Sequence, residues 1–228
     1  MDNSPELAWP WTKLKPPVPP RGLLCAGWPD KIAHKLNLMP GRSFLGGMVK
    51  LWEKEGLFLA GPVLGAPLAV MALEILARRE AKEIIFLGLA GSLTTRLNPG
   101  DLFIPTYGFS TEGTSTHYPS EPGPDKSLTD RALTIKPDLA LGPIWTTDAP
   151  FRETRDLVRR FQEKEALAVD MESTALMAAA GFRYVKFMSL LVISDQFSND
   201  SWKSKTGDPQ VKQGFFKAAA LAANLLLN

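Results

Sequence analysis

Two short runs place carboxylates where they could act on a ligand: Ala168-Val169-Asp170-Met171-Glu172-Ser173 and, further on, Val192-Ile193-Ser194-Asp195. Each acid arrives where an apolar, strand-like stretch gives way to polar residues, and an α/β sheet offers side chains to ligands beyond its strand ends. Two acids can therefore meet in one pocket. Taken alone, Asp-Met-Glu-Ser is a weak signal. An acid followed by Ser ahead of an apolar run is also how many helices begin, and local sequence favours that capping role.

The elements that would carry these acids alternate along the chain. Apolar runs predict strands over 23–26, 57–63, 83–87, 102–104, 139–147, 167–169 and 185–193. Helices are expected over 30–36, 66–79, 152–163 and 173–180, with an apolar terminal helix over 215–227. Strand and helix in turn are the signature of an α/β sheet. Ahead of them lies a proline-rich arm, residues 1–21, expected to be extended or polyproline-like. Residues 22–228 read as one domain, with no linker in the middle and no internal repeat.

Composition narrows the function classes. A chain of 228 residues, 45 % hydrophobic, can bury a proper core, and a net charge of +2 argues against a partner held by phosphate neutralisation along a nucleic acid. Cys25 sits in the apolar stretch Leu23-Leu24-Cys25-Ala26 and reads as a buried small hydrophobe. With two histidines, His34 and His117, and no Cys or His cluster, no metal site is expected. The N-terminal residues lack the basic-then-apolar build of a signal peptide, so the cytoplasm is the expected compartment. The terminal apolar run is too short to span a bilayer and is expected to pack on the core or on a neighbouring subunit.

The run Gly88-Leu89-Ala90-Gly91-Ser92 follows a strand, where small residues let backbone N–H groups approach an anion or a sugar. A tight turn with no ligand explains the same residues equally well. In order and rough spacing, however, 88–93, Gly100-Asp101-Leu102, Glu112-Gly113-Thr114-Ser115-Thr116-His117-Tyr118, 142–154, 169–173 and Ser194-Asp195 together resemble the nucleoside phosphorylase superfamily. That group includes purine nucleoside phosphorylases, uridine phosphorylases and nucleosidases. The resemblance spans roughly residues 22–228, and the ordered set is what makes it specific.

The resemblance implies a single α/β domain with a central mixed β-sheet flanked by helices. It implies that Met171 and Glu172 line the ribose, with the Glu172 carboxylate bonded to sugar hydroxyls, and that Asp195 is the general acid that protonates a departing purine. Breaking a nucleoside C1′–N bond passes through an oxocarbenium-like sugar, which suits both roles. Asp195 tilts the reading toward purines, since the compared uridine phosphorylases have asparagine there. Phe151 falls where an aromatic faces the base, Gly91 lies in the substrate site, and Trp202, in the polar stretch 196–208, could cover the base. His117 is given no catalytic role.

For inorganic phosphate, the expected co-substrate, the resemblance points to Gly27 and Lys31 in a degenerate Gly27-Trp28-Pro29-Asp30-Lys31 loop, to Gly88, and to Arg42 contributed by a neighbouring subunit. Lys31 keeps the charge of the family's arginine but loses its bidentate fork. Phe86 stands where an arginine is expected and Leu89 where Ser or Thr would be. The resulting expectation is cleavage of a purine-type nucleoside by phosphorolysis in a homo-oligomer of two or more subunits, with no nucleic-acid or membrane partner. Two alternatives stay open. One is a phosphate-independent nucleosidase with Asp30 as candidate base; the other is a non-catalytic nucleoside-binding protein that has kept the fold.

Overall fold

The computed structural model describes residues 17–119, 123–198 and 201–228. Most of the proline-rich arm, residues 1–16, lies outside the described residues. In chain order the elements are β1 (Arg21–Cys25), α1 (Pro29–Lys35), β2 (Met39–Pro40), β3 (Lys50–Lys54), β4 (Leu57–Gly61), α2 (Ala66–Arg78), β5 (Glu83–Ser92) and β6 (Leu102–Ser110). They continue with α3 (Lys126–Ile135), β7 (Ala140–Thr146), α4 (Arg155–Glu163), β8 (Ala168–Asp170), α5 (Ser173–Phe182), β9 (Lys186–Ser198), β10 (Ser201–Ser204) and α6 (Pro209–Leu227).

All ten strands belong to one mixed sheet in the order β10-β9-β6-β7-β8-β5-β1-β4-β3-β2, and β9 also pairs with β5. That extra pairing closes β5, β9, β6, β7 and β8 into a ring, from which β1, β4, β3 and β2 extend as an open wing. β5 is the pivot: its first half is flanked in parallel by β1 and β9, and its end by β9 and antiparallel β8.

Period-2 alternation sends successive side chains of the central strands to opposite layers. Leu24, Ile84 and Phe86 join the core beneath α2 and α5; Leu23, Ile85 and Leu87 join the core beneath α6. Covered on both faces, such strands read as unbroken apolar runs, which is why the sequence reveals them. The terminal helix α6 buries Phe215, Ala218, Ala222 and Leu226 in that second layer, so it packs on this chain's own core. A third, smaller cluster lies beneath α4 and contains Leu93, Trp145, Val158, Phe161, Val169 and Phe197.

The structure departs from the sequence reading in three places. Gly88-Leu89-Ala90-Gly91-Ser92 is a continuation of β5 and not a turn. β9 runs on through Ser198, so Asp195 lies inside a strand and only Asp170 sits at a strand end. The short β2, β3 and β10 and the helix α3 had no reading at all. Residues just ahead of β1 are also packed: Val18 is buried and its N–H donates to the Arg79 carbonyl, while Pro20 O accepts from the N–H groups of Lys82 and Glu83. Among the described residues no helix is long and apolar enough to cross a membrane.

Candidate active site

The strands that carry the two acidic runs flank the end of β5. Pairing between β5 and β9 slips by one residue, Ala90 facing Ile193 and Gly91 facing Asp195, so that Ser194 is the extra residue of a bulge. A bulge re-aims the side chain that follows it. On its other flank Gly91 pairs with Val169 of β8, the strand that ends at Asp170 and leads straight into Glu172. One glycine thus has the Asp195 strand on one side and the Glu172 strand on the other.

The capping role falls to Asp170. Its carboxylate accepts from the Ser173 N–H at 2.9 Å and from Thr146 Oγ1 at 2.6 Å, whereas Glu172, at the N-cap position of α5, makes no capping bond. Glu172 instead turns away from its own helix, and its Oε1 accepts from the Gly65 N–H at 2.6 Å. Gly65 holds φ +78°, ψ 151°, a conformation open in practice to glycine alone, and this aims its N–H at the carboxyl as α2 begins.

Burial in an apolar surround, with the Asp170 charge beside it, pushes the Glu172 carboxyl up to about 8. Burial also raises Asp170, but its donors Ser173 and Thr146 favour the ionised form. Both carboxyls are thus harder to ionise than free ones, Glu172 through burial and the neighbouring Asp170 charge. A buried carboxyl bonded by backbone N–H groups keeps hydrogen-bonding capacity for hydroxyl groups.

Asp195 is half-buried. Ser194 Oγ donates to its Oδ2 and Thr206 Oγ1 to its Oδ1 at 3.3 Å. Glu153, at the end of the short turn Pro150–Arg152, is pushed up to about 7 by burial first and by the charge of Asp195 second. Sequence reasoning missed Glu153, although it lies in the 142–154 stretch. It also missed Gly65, because neither its φ nor its long-range partner leaves a local signal. Over the same corner β10 pairs with β9, with Trp202 opposite Phe197 and Ser204 opposite Asp195. The Trp202 ring meets Phe197 edge-on at 5.5 Å.

The remaining candidates are spread more widely. Met171 is half-buried beside Glu172. Phe151 is wholly exposed on the 150–152 turn. The 27–31 stretch is not a loop throughout: Pro29 opens α1, and Trp28 at its N-cap adopts φ +47° and packs edge-on against Phe215 of α6 at 5.2 Å. Lys31 and Arg42 both lie exposed. Gly88 is packed so tightly that a Cβ there would lie 2.5 Å from the Phe86 ring, and Phe86 itself is fully buried. Asp30 is exposed and bonded to Lys50 Nζ at 3.0 and 3.2 Å.

The fold is that of an α/β protein with a ring-closed mixed sheet in which Gly91 pairs with Asp195 on one side and with Val169, just ahead of Asp170 and Glu172, on the other. A family model described as the phosphorylase superfamily matches residues 34–228, and the chain belongs to that superfamily. A guanosine phosphorylase of Halorubrum lacusprofundi is 24% identical over 184 residues, covering 78% of this chain and 76% of that protein. A DeoD-type purine nucleoside phosphorylase of Mycoplasma genitalium is 27% identical over 183 residues, 75% of each. Among solved structures, uridine phosphorylase from Vibrio fischeri ES114 superposes with a TM-score of 0.77 at 20% identity, covering 92% of both chains. AMP nucleosidase from Bacteroides thetaiotaomicron gives 0.73 at 20% identity, covering 92% of this chain and 89% of that one. These likenesses bear out the fold class read from the sequence.

Proposed function

We propose that the protein is an enzyme that cleaves the N-glycosidic bond of a purine nucleoside, with inorganic phosphate as the acceptor. The observation that carries this reading is the flanking of Gly91 by the Asp195 strand and by the strand leading into Glu172. A ribose bonded by Glu172 would leave its base over Gly91, within reach of Asp195. Asp195 takes up a proton as the nucleoside binds and passes it to the imidazole side of the leaving purine as the C1′–N bond breaks. Glu172 bonds the sugar hydroxyls more tightly as the sugar becomes cationic, which favours the transition state over the substrate. Phosphate attacks C1′ from the opposite face, giving base and pentose 1-phosphate.

Met171 lines the ribose in this reading and Phe151 closes over the base. Lys31, the backbone at Gly27 and Gly88, and Arg42 of a neighbouring subunit hold the phosphate, so the working form is a homo-oligomer. The matched phosphorylases from Halorubrum and Mycoplasma support the purine assignment. A second reading, hydrolysis without phosphate, is favoured by Phe86 and Leu89, neither of which can bond an anion. Against it, Asp30 is exposed and paired with Lys50, a poor setting for a base that must activate water. The deciding experiment is base release from a nucleoside panel with and without phosphate. Release that requires phosphate supports phosphorolysis, equal release in its absence supports the nucleosidase reading, and none at all removes the enzyme.

A further inference from the structure

Trp202 stands apart from every other polar side chain. Among the described residues, its Nε1 is the one buried side-chain nitrogen or oxygen with no hydrogen-bond partner. Buried indole N–H groups ordinarily find an acceptor, so an unpaired one marks a ring seated in a space whose polar groups are not placed for it. That space is the Gly91 floor. A Cβ added at Gly91 would lie 2.8 Å from both Cη2 and Cζ3 of the indole and 3.4 Å from Val169 Cγ1. The ring packs against the cluster beneath α4 and lies one strand from Asp195. An indole is a fused six-and-five-membered bicycle, the outline of a purine.

We propose that the Trp202 indole sits in the base subsite and must leave it before a nucleoside can bind, so that this subsite is sized for a fused bicyclic base. The inference rests on the nucleoside reading given above, because it takes Gly91 as the floor of the base. Ring and base cannot share that floor. Apparent affinity is then the intrinsic affinity multiplied by the fraction of molecules whose ring has left. Expulsion is the same event whichever base enters, so its cost is common to purine and pyrimidine nucleosides and does not alter their ratio.

The test labels the protein with 5-fluorotryptophan, assigns the Trp202 resonance through Trp202→Phe, and titrates with inosine and uridine, with calorimetry on wild type and Trp202→Ala. The expected result is that the Trp202 resonance moves on inosine binding, and that Trp202→Ala tightens inosine and uridine by one common factor of about ten. Inosine binds tighter than uridine in both proteins. Binding to the variant with none detectable to wild type also supports the proposal. Inosine that binds wild type while the Trp202 resonance stays in place, or a variant that binds equally or more weakly, overturns it and leaves the nucleoside reading intact. Absence of nucleoside binding to either protein, with both folded by their fluorine spectra, overturns both.

Discussion

The acid half of the site and its cation half are built differently. Asp170 and Glu172 are buried, each fixed by bonds to a different element, and Asp195 is set by a bulge opposite Gly91. Lys31 and Arg42 are exposed, the first in the short helix α1 and the second just after the edge strand β2. One chain therefore assembles the groups proposed for sugar and base but does not enclose those proposed for phosphate. A pocket that needs a charge from outside the chain would show this division, and assembly of two copies would complete it.

The sharpest way to break the comparison is at Asp195. Asp195→Asn keeps the size of the side chain and its position beside Ser194 and Thr206 but cannot supply the proton. Base release should fall by about two to four powers of ten, the span of a positioned general acid, with thermal stability nearly unchanged. A variant as fast as wild type in a base-release assay would reduce the acid half to scaffolding.

Glu172 comes next, and its burial gives it a signature in pH. Glu172→Gln should cost roughly one to two powers of ten, with kcat falling more than KM rises, because the lost bond strengthens in the transition state. The native carboxyl holds its proton up to about 8, whereas the unfolded chain releases it in the ordinary carboxylate range. The folded state binds more protons across that window, so stability is full below it, declines as pH rises and levels off above about 8. Melting curves from pH 4 to 9 should show that decline in wild type and a weaker one in the Gln variant. The kcat/KM of wild type should rise over the same range as Glu172 ionises to meet the developing cation.

On the cation side the expected effect is smaller and confined to phosphate. Arg42→Ala should raise the KM for phosphate about tenfold, the worth of one charge-assisted hydrogen bond, with little change for the nucleoside. Light scattering should report at least a dimer. A fully active monomer, or an unchanged phosphate dependence, would show that the exposed cations are ordinary surface.

How far all this was legible in the sequence depends on whether the signal was local. β1, β4, β5 and β9 announce themselves because strands covered on both faces are apolar throughout. α3 does not: it buries only Leu128 and Ala132, too little apolar spacing to read, though Asp125 caps it by accepting from the Leu128 N–H. β10 offers only Trp202 to the core. The glycines of β5 imitate a turn and prove to be strand positions where rings crowd the backbone, Phe86 at Gly88 and Trp202 at Gly91. In the candidate site, an ordered set of motifs points to Asp195 and Glu172, but the division of labour between Asp170 and Glu172 is hidden from it. Which of two acids caps a helix depends on a donor as distant as Gly65.

The smallest effect is expected at Phe151, and it tests whether the acid half is finished before ligand arrives. The ring is wholly exposed on a three-residue turn, so Phe151→Ala removes no packed surface and should leave the melting temperature within the ordinary scatter of surface substitutions. Should the ring close over a base, the variant loses one aromatic contact, worth about 0.5–1.5 kcal/mol. That corresponds to a rise of roughly two- to tenfold in the nucleoside KM with kcat nearly constant, since stacking holds substrate and transition state alike. Steady-state kinetics read alongside a melting curve separate the cases. An unchanged KM would leave Phe151 as an exposed residue of the turn and confine the base site to the Gly91 floor.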